Sequence, residues 1–173
     1  LGKFIPPFGA LTCRVQHEFF HRYTADEHTL VCLEKLDAVW NDPAAFPRAH
    51  ELFRQIERPH VLHLALLLHD TGKSRPGQPH AEVGQLLGAV VRHHLLMAHI
   101  SQRRDLEDPD VIRAFARRLG GAEALAHLTL HTLCDTLGTI ESLWNDFKDM
   151  LLWTLYQRAQ PVLTGEAEFV ELE

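Results

Sequence analysis

Apolar side chains return every three or four positions along nearly the whole chain, and no stretch alternates apolar and polar residues as a half-buried strand does. Leu125, Leu128, Leu133 and Leu137 form one such series, and Trp144, Phe147, Leu151 and Leu155 form another. That interval places side chains on one stripe of a helix, and the stripe must be buried against other helices. The expected class is therefore all-α.

Punctuation divides the pattern. Thr24-Ala25-Asp26-Glu27 has capping-box spacing and predicts a helix running to about Trp40, with Leu30, Val31, Leu33 and Leu36 as its apolar face. Asn41-Asp42-Pro43 ends it. A second helix is predicted from Pro47 to Ile56, and a leucine-rich one from His60 to His69. The run from Ser74 to Pro79 contains Pro76, Gly77 and Pro79 and reads as a loop. Helical pattern resumes over Ala81 to about Ile100. Asp108-Pro109 opens the next helix, and Gly120-Gly121 closes it. Two more are predicted, from Ala122 to about Gly138 and after Ser142 as N-cap.

A length of 173 residues suits one domain. The net charge of −6 argues against nucleic acid as a partner, because phosphate backbones are bound by basic surfaces. No apolar run is long enough for a membrane span, and the N-terminus lacks a signal-peptide pattern. Cys13, Cys32 and Cys134 stand far apart, so they are expected to be buried, reduced thiols of a cytoplasmic protein. The chain opens on Leu1-Gly2-Lys3 and is expected to be a piece of a longer protein.

Histidine is unusually frequent, with 13 residues, and it is the commonest metal ligand. His69-Asp70 follows the leucine-rich helix and precedes Thr71-Gly72-Lys73. Mid-helix, adjacent side chains diverge by about 100°. At a helix end the backbone turns, and both can reach one ion. His28 lies early in its predicted helix, and Asp135 lies inside an apolar pattern where an unpaired carboxylate is costly. Two imidazoles and two carboxylates suit a divalent cation. His80, His93 and His94, with Asp70 bridging, are candidates for a second ion, and two-metal sites suit phosphate-ester hydrolysis. Lys73, Arg103 and Arg104 are candidates to bind phosphate, the two arginines standing equally well as a solvated basic patch. His17, His21, His50, His60, His63, His99, His127 and His131 are read as surface or supporting residues, His21 being the exception because it precedes His28 by one or two turns.

The order His28, His69-Asp70, Asp135 resembles the HD superfamily of metal-dependent phosphohydrolases. A closer likeness is to the HD domain of bifunctional uridylyltransferase/uridylyl-removing enzymes. It is carried by Phe20 to Leu30 (FHRYTADEHTL), Leu68 to Lys73 (LHDTGK), His93 to Met97 (HHLLM), Gln102 to Leu106 (QRRDL) with Asp108-Pro109 just after, and Leu143-Trp144-Asn145. The opening LGKFIP and Phe8-Gly9 add to it, so it spans nearly the whole chain. The resemblance implies an HD-domain helical bundle that hydrolyses the uridylyl-tyrosine phosphodiester of the PII nitrogen-regulatory protein and releases UMP. It implies a first metal on His28, His69, Asp70 and Asp135, a second on His80, His93 and His94 with Asp70, and Lys73 facing phosphate. Asp70 and Lys73 are the expected catalytic residues. One or two divalent ions are implied, with magnesium or manganese placed ahead of iron or zinc. The family carries a nucleotidyltransferase domain before this one and ACT domains after it. The signatures of the first are not found here, so only the removing activity is expected.

Two departures stand out. The family's Gly-rich acidic loop before the third histidine is replaced by the run from Ser74 to Glu82. Only 12 residues separate His80 from His93, and one helix across them would hold the two histidines about 20 Å apart. A lost hairpin, or residues omitted between about 84 and 90, accounts for that spacing, and omission is the expectation. The alternative functions are a phosphohydrolase of small nucleotides or cyclic dinucleotides and a non-enzymatic regulatory domain.

Overall fold

Proline sets the start of three of the longer helices in the computed structural model, which describes residues 2–9, 11–13, 23–71, 82–139 and 141–166. Pro47, Pro59 and Pro109 stand at the first position of α3 (Pro47–Gln55), α4 (Pro59–Leu68) and α7 (Pro109–Leu119), where the missing N–H costs nothing. The remaining helices are α1 (Pro6–Gly9), α2 (Ala25–Asn41), α5 (Glu82–His93), α6 (Leu96–Arg103), α8 (Ala122–Thr139) and α9 (Asp146–Thr164). A 3₁₀ turn at Glu141–Leu143 joins α8 to α9. No strand occurs among the described residues, so the all-α expectation holds.

Most boundaries fall within two residues of those read from the sequence. At α7, Asp108 accepts a hydrogen bond from the Asp110 backbone N–H at 2.8 Å, and Gly120 ends the helix at φ 76°. Other expectations need correction. The helix predicted from Ala81 to Ile100 is broken at His94-Leu95, where the His94 ring bonds back to the Val91 carbonyl at 2.7 Å and α6 sets off toward α9. The N-cap of α9 is Asn145, whose side chain accepts from the Lys148 N–H at 2.9 Å, and not Ser142. The Thr24 hydroxyl donates to the Glu27 carboxylate at 3.4 Å, so Thr24 begins α2 without capping a backbone N–H through its side chain.

The buried stripe of α2 is also rotated from the expected one. Ala25, His28, Thr29, Cys32, Leu36 and Val39 face inward, while Leu30 is exposed. Phe147 of α9 is exposed too, and Leu152, Trp153, Leu155 and Ala159 supply that helix's core face. The core is built around α8, which packs against α2, α3, α4, α5, α6, α7 and α9. Its buried residues run almost without interruption from Ala124 to Gly138. Such a helix has little outward face, so each polar side chain on it must find a partner inside the protein.

The closest approach lies between α8 and α2. A Cβ at Gly138 would stand 2.5 Å from Cys32 Sγ and 3.2 Å from the Cys32 backbone nitrogen. Glycine therefore lets the two backbones meet. Cys32 and Cys134 are buried thiols as expected, whereas Cys13 is exposed. Gly138→Ala should destabilise the protein by about 1–3 kcal/mol in urea unfolding through overpacking. At an unconstrained helical position the same change would stabilise by about 1 kcal/mol, so a gain in stability would disprove the close approach.

Candidate metal centre

The rotation of α2 puts His28 on the core side, facing α8. His28 Nε2 lies 2.9 Å from Asp135 Oδ1. Cys32, one turn further along α2, packs its sulfur 3.5 Å from the same nitrogen. Asp135 approaches from α8 with its side chain 17% exposed, which leaves the carboxylate a narrow opening to solvent.

His69 comes from α4. It sits at the C-cap, just past Leu68, and its Nδ1–H donates to the Leu66 carbonyl at 2.7 Å. A helix end leaves such carbonyls without intrahelical partners, so the imidazole satisfies one of them. The bond also fixes the tautomer, because a carbonyl can only accept, and Nε2 is left with its lone pair. That nitrogen is buried and has no hydrogen-bond partner among the described residues. It lies 3.6 Å from Asp135 Oδ1 and 3.7 Å from Asp70 Oδ1. His28, His69 and Asp135 each offer a donor atom, and these atoms lie within 4.8 Å of one another. Donors bound at about 2.0–2.2 Å to a single ion stand at roughly such spacings. An orphaned buried nitrogen beside a second imidazole and a carboxylate fits a divalent cation.

Electrostatics agree. Burial alone would lower the His28 pKa, but the hydrogen bond and charge of Asp135, the Gly138 carbonyl and the charge of Asp70 outweigh it and raise the pKa. For His69 burial prevails over Asp135 and Asp70, and the pKa falls. Asp135 is held well below the usual carboxylate range: burial pushes the other way, and the bond from His28 with the neighbouring imidazoles overcomes it. Burial raises the Cys32 and Cys134 thiols far above neutrality, which keeps both protonated and inert.

Asp70 is buried beside His69, but it is not one of the three residues whose donor atoms lie within 4.8 Å of one another. His94 joins them: its ring centre is 5.5 Å from that of His69, and its Nδ1–H is likewise held by a helix-end carbonyl, that of Val91. No described contact links His93 to the cluster. Burial, Arg92 and Arg118 lower its pKa. Arg103 and Arg104 are exposed at the end of α6, and Arg104 lines a groove of about 370 Å³ with His99, Asp110 and Arg118. Lys73, His80, His17 and His21 lie outside the described residues.

Two histidines read as surface or supporting residues are fully buried. His127 places Nδ1 2.8 Å from the Glu123 carbonyl and Nε2 3.2 Å from that of Arg58, tying the start of α8 to the start of α4. The Arg58 guanidinium pairs with the Glu123 carboxylate at the same junction. His131 stands one turn before Asp135, against His69 and His94, and burial pushes its pKa down to about 3. The signal in the sequence was the four-residue interval from His131 to Asp135, which stacks both on one helix face.

Nearly the whole chain is similar to one part of longer proteins. It is 38% identical, over 98% of its length, to the bifunctional uridylyltransferase/uridylyl-removing enzyme of Nitrosococcus oceani, of which the match covers 21%. For the enzyme of the same name from Methylococcus capsulatus the figures are 39%, 90% and 20%, and for that of Thiobacillus denitrificans 37%, 95% and 22%. The chain thus spans about one fifth of these relatives, and the likeness seen in its motifs is borne out. The Nitrosococcus alignment runs over 189 residues, more than the chain's 173, so that relative holds residues without a counterpart here. No family model and no solved structure matches the chain.

If the cluster holds a cation, ligand binding should stabilise the fold. At a metal concentration 100 times Kd the gain is about 2.7 kcal/mol. Thermal unfolding of chelator-treated protein with manganese or zinc restored should show it for the wild type and not for His69→Leu. An equal rise in both would place the metal elsewhere.

Proposed function

We propose that this chain, a homologue of one segment of the bifunctional uridylyltransferase/uridylyl-removing enzymes, is a metal-dependent phosphodiester hydrolase that removes UMP from a uridylylated tyrosine of the PII protein. The observation that carries the reading is the convergence of His28, His69 and Asp135 within a segment shared with enzymes named for uridylyl removal.

In this reading His28, His69, Asp70 and Asp135 hold a divalent cation. Such an ion, when bound, supplies Lewis-acid stabilisation of a phosphoryl oxygen and acidifies water. The chain's own residues prepare the place. Asp135 holds His28 by a hydrogen bond, and the Leu66 carbonyl holds His69 with Nε2 free. The tyrosine product leaves readily, since a phenol has a pKa near 10.

His94, with His93 and His80, is proposed for a second ion bridged by Asp70, and Lys73, Arg103 and Arg104 for substrate phosphate. The chain is taken as one domain of a longer cytoplasmic protein, with residues missing between about 84 and 90. No helix among the described residues is long and apolar enough to cross a membrane.

UMP release from uridylylated PII, by chelator-treated protein with manganese added back, tests the proposal. The wild type should show metal-dependent release, and Asp70→Asn should lower it by about a hundredfold or more. Metal-dependent hydrolysis of free nucleotides or cyclic dinucleotides without release from PII would replace the substrate. No metal-dependent hydrolysis at all would remove the enzymatic reading.

A further inference from the structure

Away from the metal centre the arginines divide into two groups. Arg48 pairs with Asp149, Arg54 with Glu51, Arg58 with Glu123, Arg113 with Asp110 and Arg158 with Glu107. Arg92, Arg103, Arg104, Arg117 and Arg118 form no ion pair or hydrogen bond among the described residues. All of these are exposed, and all stand at the closing turns of α5, α6 and α7. Basic residues suit a helix C-terminus through its dipole, yet α2, α8 and α9 end without any. The unpaired guanidiniums are thus gathered on three consecutive helices of a chain whose net charge is −6.

Two of them frame a groove. The cavity of about 370 Å³ between α6 and α7 has Leu96, Ile100, Val111 and Phe115 as its apolar floor. Arg118 is close enough for its charge to act on His93, just before α6, so the end of α7 lies beside the start of α6. Arg104 follows the last turn of α6, and the helix from Leu96 to that point is about 12 Å long. Arg118 therefore stands at one end of the groove and Arg104 at the other, with His99 between them. Asp110, the acidic side chain in the lining, is already held by Arg113 at 2.9 Å. An apolar floor between two unpaired guanidiniums matches a polypeptide segment with carboxylates at its ends and apolar side chains between them. A nucleic acid is matched less well, because a chain of this net charge repels phosphate backbones.

We propose that the groove between α6 and α7 is a docking surface for an acidic, partly apolar segment of the protein substrate, with Arg104 and Arg118 holding carboxylates at its two ends. The inference rests on the proposed function having a uridylylated protein as substrate. It moves Arg104 from the phosphate to the surface of the protein that carries the phosphate. Docking of this kind holds the substrate without touching the bond that breaks, so it governs KM and its salt dependence and not the chemical step.

Kinetics on uridylylated PII and on a small ester, the 4-nitrophenyl ester of UMP, separate docking from chemistry. Arg118→Glu and Ala114→Glu change exposed positions at the end and in the middle of the groove. Each should raise KM for the protein by about tenfold or more, with kcat and both constants for the small ester within about twofold of the wild type. Added salt should raise the wild-type KM for the protein and move that of Arg118→Glu less. An unchanged KM for the protein in both variants overturns the inference and leaves the proposed function standing. An equal rise in KM for the small ester would put Arg118 at the phosphate and overturn it as well. A short single-stranded DNA that competes with PII in the wild type and not in Arg118→Glu would give the groove to nucleic acid. If the wild type releases no UMP from PII, the substrate reading fails and the docking inference fails with it.

Discussion

A carboxylate on α8 has almost nowhere to go. The helix is covered by seven others, and Asp135 keeps only a narrow opening to solvent. An ionised group so placed must be paired, because removing one partner of a buried pair costs on the order of 3–5 kcal/mol. His28 meets that demand, and doing so fixes how α2 lies on α8. The glycine contact at Gly138 and Cys32, one turn beyond, lets the helices come close enough for the bond to be 2.9 Å long. The same carboxylate faces His69 Nε2, which brings the end of α4 into the arrangement. Three helices are thus oriented by one charge.

That charge has company. Asp70 is buried within reach of His69, and its field, with that of Asp135, acts on both His28 and His69. Two carboxylates near the same imidazoles leave the cluster with surplus negative charge unless the imidazoles take protons. His28 inclines to do so. His69 and His131 do not, because burial disfavours their charged forms. A dication relieves the imbalance with no imidazole protonated, and metal affinity should weaken in acid as protons compete for the same nitrogens.

Much of this was legible in the sequence, and the part that was not has a common cause. Proline, glycine and Asp108 marked helix ends because their effects are local to the backbone. His28, His69, Asp70 and Asp135 could be picked out because histidine and aspartate inside apolar patterns are expensive unless they serve a purpose. The rotation of α2 escaped, since Val31 and Leu33 are as apolar as Cys32 and only packing against α8 decides which side faces in. The break at His94-Leu95 escaped as well. No proline or glycine marks it, and it depends on the His94 ring reaching Val91 behind it and the cluster in front. His131 was passed over because eight histidines looked alike one at a time. Its distinction is a relation to His69 and His94, which are distant in sequence.

His69 and His94 share a device that explains why a His-Asp pair at the close of a helix is a good place to hold a cation. Each follows the last turns of its helix, and each gives its Nδ1–H to a carbonyl three residues back, Leu66 in one case and Val91 in the other. Those carbonyls belong to helix C-termini, where intrahelical donors run out. The bond satisfies the backbone and locks the ring. It also leaves Nε2 as the basic nitrogen, in the tautomer a metal requires. Inside a helix an imidazole can bond back to a carbonyl four residues earlier, as His127 does to Glu123, or find its orienting partner across the core. His28 finds Asp135. His131, buried against His69 and His94, has neither nitrogen hydrogen-bonded among the described residues.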